Sequence, residues 1–317
     1  MAVGGLEAVG RDAGGGHGVV DGGDLERLIQ GRVLYHEPLA KYTSWRMGGP
    51  ADIVVFPASR DDVRQALIFA TRAGLPVVVL GGGSNTLVRD GGIRGLVLVL
   101  DGTFLELGAE GTHVRAGAGV RLSRLVAFCS KAGLTGVECL AGVPGTVGGA
   151  IRGNAGAFGG SIADRLERVW CIVSKGEEVI FERNEIEFTY RRSSIPADAV
   201  VVAGAFALRR EDPAAIRRVV SDHLIRRNRS QPVEWRSAGS VFKNPSGDFA
   251  GRLIEQVGLK GARVGEAMVS PKHGNFIVNL GGATAQDVLE LIEFVRARVR
   301  VETAVELELE VQVVGEA

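Results

Sequence analysis

Two glycine-rich loops carry the strongest chemical signal in the sequence. The first, Gly81-Gly-Gly-Ser-Asn-Thr86, follows an apolar run, and the second extends over residues 142–160. Successive backbone N–H groups in such loops form a concavity for phosphate oxygens, and only glycine allows a close approach. Neither loop has the GxGxxG fingerprint with a downstream acid or the GK[ST] ending of a P-loop. The pair predicts a diphosphate held from two sides, with paired surface turns as the alternative.

Polar side chains suited to catalysis occur in two other segments. Arg191 follows a strand-like stretch, and its planar guanidinium suits a carboxylate, although a solvated arginine is the alternative. The loop at 237–245 brings together the hydroxyl of Ser240, the ammonium of Lys243 and the amide of Asn244. Because no G-x-S-x-G elbow surrounds the serine, a hydrolytic role is not supported.

The C-terminal residues 305–313 alternate strictly between apolar and polar side chains, which predicts a half-buried strand. Glu306, Glu308 and Glu310 share its polar face, and the alternation does not select which of them faces a site. His273 occupies a turn, where a structural role is favoured over catalysis.

Composition excludes several classes of protein. The 37 basic and 37 acidic residues balance, which argues against a nucleic-acid or anionic-membrane surface. No apolar run approaches the roughly 20 residues of a membrane span. The first 24 residues lack an apolar h-region, so a flexible arm and a cytoplasmic location are expected. The three cysteines and five histidines show no metal-ligand spacing, and no metal site is expected.

Short helices and strands alternate along the chain and predict an α+β fold. A capping box at Ser59 and Asp62 begins a helix that Gly74 ends, and a strand at 77–80 follows. The next predicted elements are a helix closed by Gly133 and strands at 168–173 and 200–208. A helix then runs from Asp212 to Arg229, and its predicted buried face consists of Ile216, Val219, Val220 and Leu224. The last predicted elements are a helix at 250–257, strands at 263–269 and 275–280, and a helix capped by Thr284 and Asp287.

The motifs match a known family when they are taken in order. The matching segments are Thr43–Asp52, Leu80–Val88, Gly142–Ala150, Asn154–Gly156, Phe188–Ser193, Ala238–Pro245, Val269–His273 and Leu309–Val311. Together they resemble the shorter type of the UDP-N-acetylenolpyruvoylglucosamine reductase (UDP-N-acetylmuramate dehydrogenase) family. No segment matches the substrate-clamping tyrosine loop of the longer type.

The resemblance implies a two-lobed FAD-binding domain of the vanillyl-alcohol-oxidase (PCMH) type, followed by a C-terminal α+β substrate domain. The expected divisions are a flexible arm at 1–34, FAD-binding lobes at 35–100 and 101–212, a substrate domain at 213–302, and a strand at 303–317 that returns to the FAD lobes. FAD is expected to bind non-covalently. The cofactor-binding residues implied by the motifs are Gly48, Gly49, Gly81, Gly82, Gly83, Ser84, Asn85, Thr86, Gly142, Pro144, Gly145, Thr146, Gly148, Gly149, Asn154 and Gly156.

The resemblance also implies a reaction in two halves. NADPH reduces the flavin, which then passes hydride to the enolpyruvyl ether of a UDP-sugar and completes UDP-N-acetylmuramate for peptidoglycan. By motif, Arg191 stabilises charge on the substrate carboxylate, Ser240 donates the proton and Glu310 assists. Tyr190, Lys243 and Asn244 are the expected substrate-binding residues. The basic run 226–229 is interpreted either as a phosphate contact or as a solvated helix end.

Two other functions remain as alternatives. An oxidase of the same flavin fold often tethers its flavin through a histidine near the glycine loops, and none of the five histidines lies in either loop. A non-catalytic nucleotide-binding module accounts for the loops but not for Arg191, Ser240 and Glu310. No nucleic-acid partner is expected, and a monomer is the default expectation.

Overall fold

A mixed four-stranded sheet forms the first part of the protein, and the computed structural model describes residues 22–317. Its elements are α1 (Gly22–Leu28), β1 (Arg32–Pro38), β2 (Pro50–Phe56), α2 (Arg60–Ala73), β3 (Val77–Leu80), β4 (Thr86–Val88) and β5 (Ile93–Val99). The sheet order is β1-β2-β5-β3, with β2 and β3 both parallel to β5. Helix α2 begins and ends as predicted, with a cap at Ser59 and a left-handed Gly74.

Both faces of this sheet are covered, because successive residues of a strand point to opposite sides. Leu96 and Leu98 enter the large core beneath α2, whereas Val97 enters a smaller core with Leu39. Strand β3 leads directly into the first glycine loop, so the sheet fixes the start of that loop.

An antiparallel five-stranded sheet forms the second part. Its region contains β6 (Leu107–Glu110), β7 (His113–Gly117), α3 (Leu122–Ala132), β8 (Leu134–Thr135), α4 (Val147–Arg152), β9 (Gly156–Ala157), β10 (Gly160–Ser161), β11 (Leu166–Ile172), β12 (Glu178–Glu182), β13 (Phe188–Thr189), β14 (Arg192–Ser193), β15 (Val200–Ala207) and β16 (Arg209–Arg210). The sheet order is β12-β11-β15-β7-β6. Short helix α4 packs on β15, where Gly204 leaves room for Ile151.

The C-terminal part combines three helices with short strands. It contains α5 (Pro213–Ser230), α6 (Ala250–Gln256), β17 (Arg263–Val264), β18 (Ala267–Val269), β19 (Ile277–Asn279), α7 (Ala285–Thr303) and β20 (Gln312–Val314). The predicted single strand at 263–269 is wrong: Gly265, at φ 50°, turns the chain into a β17–β18 hairpin. The core here buries one side of α7 and also takes in Trp45 and Leu87 from the first part of the chain.

Helix α5 differs from the prediction in the face that it buries. Its start at the Asp212 cap and Pro213 is as expected, but Val219 is 43% exposed and Leu224 is 39% exposed. Ile216 alone in this helix is buried, and Val220 is partly covered. The helix packs by one edge against α3 and the turn at 138–140, so its apolar stripe stays largely open to solvent.

The two ends of the described chain also differ from expectation. The flexible arm predicted at 1–34 does not extend over residues 22–34, since α1 and the start of β1 are formed there and Leu25 is fully buried. Residues 1–21 lie outside the described residues. At the C-terminus, Leu307 and Val311 are buried as the alternation predicts, but the regular strand is confined to β20. Strand β20 pairs parallel with β4, which brings the tail back beside the first glycine loop.

Within residues 22–317, no helix is long and apolar enough to cross a membrane. In the same part of the chain, no group of three or more His, Cys, Asp or Glu residues could hold a metal ion.

Candidate active site

A cavity of about 720 Å³ lies where the two glycine loops meet. A Cβ atom on Gly82 would lie 2.9 Å from the Cα of Gly145, so any larger side chain would push the loops apart. The cavity extends along β3 and past residues 197–201. Its volume is in the range typical of small-molecule sites, which span about 300–1,000 Å³.

Neighbouring segments hold the first glycine loop in place. Ser44 donates both its backbone N–H and its hydroxyl to the carbonyl of Gly83, each at 3.0 Å. The backbone N–H groups of Gly82, Gly83 and Ser84 make no hydrogen bond with a described residue. Because these residues line the cavity, their free donors fit the phosphate oxygens of a dinucleotide such as FAD.

The second glycine loop is anchored by the residues that directly follow β7. The backbone N–H groups of Val147 and Gly148 donate to the carbonyls of Val120 and Ala118, at 2.8 and 2.9 Å. Helix α4 therefore starts at a fixed point beside the cavity.

Twelve of the sixteen predicted cofactor residues line the cavity. They are Gly81, Gly82, Gly83, Ser84, Asn85, Thr86, Pro144, Gly145, Thr146, Gly148, Gly149 and Gly156.

The other four predicted cofactor residues lie outside the cavity lining. Gly48 packs on Val88, and Gly49 packs against the backbone of Asp90, with no room for a Cβ at either position. Gly142 contacts the side chain of Arg227, and Asn154 lines a neighbouring groove. Close packing around their backbones is enough to require glycine at positions 48, 49 and 142.

The structure brings the three predicted catalytic residues, Arg191, Ser240 and Glu310, to the lining of this cavity. Arg191 occupies the turn between β13 and β14 and adopts a left-handed conformation, with φ at 60°. Its Nε lies 2.5 Å from Oε1 of Glu310, as an ion pair that lacks hydrogen-bond alignment. A strained backbone of this kind persists only where the surrounding structure holds it, and such residues cluster at functional sites.

Glu310 is the inward-facing member of the three C-terminal glutamates. Its side chain is 12% exposed, against 74% for Glu308. Burial raises the pKa of Glu310, and the positive charge of Arg191 opposes that rise without cancelling it. The Glu310 backbone is fixed at both ends: its N–H donates to the carbonyl of Val241, and its carbonyl accepts from Asn85 Nδ2.

The loop that carries Ser240 is held by a buried amide that the sequence did not single out. Asn275 Oδ1 accepts from the N–H of Phe242, and Asn275 Nδ2 donates to the Phe242 carbonyl. The Ser240 hydroxyl makes no hydrogen bond with a described residue and lines the cavity. It is therefore free to donate to a ligand.

The three predicted substrate-binding residues do not all line the same space. Tyr190 and Asn244 line a second groove of about 400 Å³, which Arg191 also lines. Lys243 lines neither space and pairs with the exposed Glu308 at 3.1 Å. Asn244 also has a structural contact, since its Oδ1 accepts from the N–H of Ala250 at the start of α6.

Two half-buried arginines complete the cavity wall. Arg227, from the basic run at 226–229, lines the cavity, whereas Arg226 and Arg229 are exposed. Burial, together with the nearby charge of Arg191, lowers the pKa of Arg227. Arg152 donates to the carbonyls of Ile195, Pro196 and Ala199, which shapes the wall at 195–199. The surplus of positive charge along the cavity favours an anionic ligand, and the sequence offered no signal for Arg152.

Comparisons with known proteins agree with this geometry. Residues 51–182 match the model of an FAD binding domain, and residues 231–314 match that of the UDP-N-acetylenolpyruvoylglucosamine reductase, C-terminal domain. The expected FAD cofactor and the expected fold, an FAD-binding domain followed by an α+β C-terminal domain, are confirmed.

Three similar proteins are reductases of the same kind. The UDP-N-acetylenolpyruvoylglucosamine reductase of Moorella thermoacetica is 48% identical over 93% of this chain and 97% of its own length. That of Desulforamulus reducens is 43% identical, again over 93% and 97%. The crystal structure of UDP-N-acetylenolpyruvylglucosamine reductase from Thermus caldophilus, 40% identical, has a TM-score of 0.79 over 90% of this chain and 99% of that one. This chain belongs to the UDP-N-acetylenolpyruvoylglucosamine reductase family.

Proposed function

We propose that the protein reduces the enolpyruvyl ether of UDP-N-acetylglucosamine-enolpyruvate to UDP-N-acetylmuramate, with FAD as cofactor and NADPH as reductant, in peptidoglycan precursor synthesis. The supporting observation is that Arg191, Ser240 and Glu310 share one cavity with the glycine loops. A simple nucleotide-binding module has no need of these three side chains. Membership of the family supports the same reaction.

FAD, when bound, supplies reversible hydride chemistry. The residues fit it, because Gly82, Gly83 and Ser84 present free N–H groups beside a cradle that a Cβ would fill. Of the predicted cofactor residues, the twelve that line the cavity are the proposed contacts.

Arg191 binds the carboxylate of the enolpyruvyl group. Hydride addition to the neighbouring double bond moves negative charge onto that carboxylate, and the fixed guanidinium stabilises it. The left-handed turn holds the side chain before the substrate arrives, so no reorganisation is needed during the reaction. Losing one such donor typically costs about 10²–10³ in rate.

Ser240 donates the proton that completes the product. Its hydroxyl is unpartnered among the described residues and lies next to the first glycine loop, since a Cβ on Gly239 would be 4.0 Å from the Ser84 carbonyl. Glu310 holds the Arg191 guanidinium, and because burial raises its pKa it retains a proton to higher pH than an ordinary glutamate does.

The groove beyond Arg191 accepts the nucleotide portion of the substrate. Tyr190 and Asn244 line it, and Arg227 adds positive charge on the cavity side. Lys243 contributes through the local charge: burial raises the pKa of Glu310, and the Lys243 ammonium, like Arg191, opposes that rise without cancelling it. We further propose a monomer in the cytoplasm, which analytical ultracentrifugation and cell fractionation would test.

The proposal is tested by steady-state oxidation of NADPH by the purified, FAD-loaded protein. NADPH consumption is expected only when the enolpyruvyl sugar is present, with UDP-N-acetylglucosamine as the control that lacks the enol ether. Equal NADPH consumption with the two sugars would contradict the proposed substrate. So would an absence of NADPH consumption with the enolpyruvyl sugar.

A further inference from the structure

Asn154 lies between the second glycine loop and the turn that carries Arg191. It follows helix α4, is half-buried, and adopts a left-handed conformation with φ at 42°. It lines the 400 Å³ groove together with Tyr190 and Arg191 and is absent from the lining of the larger cavity. Its position therefore favours the substrate side over the motif-based expectation of a cofactor contact.

One end of the Asn154 amide is bound to the Arg191 turn. Its Nδ2 donates to the carbonyl of Thr189 at 3.0 Å, and Thr189 directly precedes the turn residues Tyr190 and Arg191. A second link joins the same segments, since Arg191 Nη1 lies 3.5 Å from the carbonyl of Gly156. The reversed amide would set two oxygen atoms against each other, so the bond to Thr189 fixes the orientation of the side chain.

The other end of the amide has no partner. Asn154 Oδ1 is buried and makes no hydrogen bond with a described residue. A buried carbonyl oxygen without a donor is unfavourable, and such groups in native proteins call for an explanation. A sugar nucleotide offers several N–H and O–H donors of the required kind.

We propose that Asn154 is a positioning residue that couples substrate binding to the placement of Arg191. Its Nδ2 holds the turn, and its Oδ1 accepts a hydrogen bond from an N–H or O–H group of the sugar nucleotide in the groove. The proposal rests on the proposed function, because it assumes that Arg191 acts on the substrate carboxylate. It assigns Asn154 to the second half-reaction rather than to FAD binding.

Asn154→Gly is the informative variant. Glycine adopts the left-handed backbone without strain, so the change removes the side chain and its bond to Thr189 while the backbone at position 154 keeps its conformation. His36→Gly is the matched control, because His36 is also left-handed, at φ 50°, and lines neither the cavity nor the groove. Asn154→Asp keeps an acceptor but sets an oxygen against the Thr189 carbonyl.

The two half-reactions are measured separately by anaerobic stopped-flow absorbance of the flavin. In Asn154→Gly, oxidation of reduced flavin by the enolpyruvyl sugar is expected to slow by about 10–100-fold, because Arg191 is displaced. The Kd of that sugar rises about tenfold through the lost hydrogen bond. Asn154→Asp loses at least as much rate, whereas FAD affinity and flavin reduction by NADPH stay at the level of wild type and His36→Gly.

Two results would overturn the inference. The first is a large loss of FAD affinity in Asn154→Gly, which would make the residue a cofactor contact. The second is an oxidative half-reaction in Asn154→Gly as fast as in wild type. Failure of the wild-type protein to turn over the sugar is a separate outcome, which rejects the proposed function.

Discussion

Replacement of Glu310 by glutamine is the sharpest test of the site chemistry. The change keeps the size of the side chain and removes both its charge and its acidic proton. Glu310 is 12% exposed, forms the 2.5 Å ion pair with Arg191, and has a pKa that burial raises. Acid–base groups in such positions contribute about 10²–10⁴ in rate. We expect Glu310→Gln to slow the oxidative half-reaction by about 10²–10³, or about 3–4 kcal/mol.

Glu308→Gln is the matched control on the same segment. Its side chain is 74% exposed, and its ion pair with Lys243 lies in solvent, where such pairs are worth about 0.2–1 kcal/mol. The control is therefore expected to change the rate by less than about fivefold. The assay is anaerobic stopped-flow oxidation of NADPH-reduced enzyme by the enolpyruvyl sugar. Equal rates for the two variants would refute the assignment of Glu310.

The same pair of variants has a pH signature. Because the pKa of Glu310 is raised above its ordinary value of 4.5, the protonated form persists to higher pH than in a free glutamate. The wild-type oxidative rate is expected to fall as pH rises through that raised pKa, and Glu310→Gln is expected to lack this decline.

Three further predictions concern proton donation and stability. Ser240→Ala should leave flavin reduction by NADPH intact but slow the oxidative half-reaction by about 10²-fold or more, and two unaffected half-reactions would exclude Ser240 as donor. Asp62→Ala should lower the free energy of unfolding in urea by about 3 kcal/mol, because buried Asp62 accepts hydrogen bonds from the N–H groups of Gly31 and Ala58. Asp61→Ala, at an exposed position, is the control. Equal free energies of unfolding for the two variants would contradict the structural role of Asp62. Burial and Lys260 lower the pKa of His273, so the folded state binds its proton less tightly than the unfolded state, and stability should fall as pH drops below about 6.5. His273→Gln should reduce this loss of stability at acid pH, as measured by the urea midpoints of unfolding at about pH 5 and pH 7.5. The same loss in the variant as in wild type would show that another group causes it.

Local sequence signals predicted the parts of the site that depend on local geometry. The first glycine loop follows a strand and needs residues without a Cβ, and both features are readable in the sequence. The same signal has two readings at Gly48 and Gly49, because a glycine required for backbone packing looks identical to one required by a ligand. Sequence spacing cannot separate the two uses.

Contacts between distant segments explain the remaining differences. The alternation at 305–313 placed three glutamates on one face. The Glu310 backbone is fixed by its N–H bond to the Val241 carbonyl and by the bond that its own carbonyl accepts from Asn85, and Glu310 is the glutamate that lines the cavity. The apolar stripe of α5 has helical spacing, yet the helix meets the core by one edge only, so Val219 and Leu224 stay exposed. Arg152 and Asn275 act on carbonyls and N–H groups more than 30 residues away, which no local pattern reveals.

A single anaerobic turnover tests the central claim most directly. One equivalent of NADPH is added to the FAD-loaded enzyme, which should bleach the flavin absorbance, and the enolpyruvyl sugar is then added without oxygen. We predict that the oxidised flavin spectrum returns in full, with one lactyl ether product formed per flavin. Flavin that stays reduced in the presence of the sugar and is reoxidised only when oxygen is admitted would contradict the account and favour an oxidase.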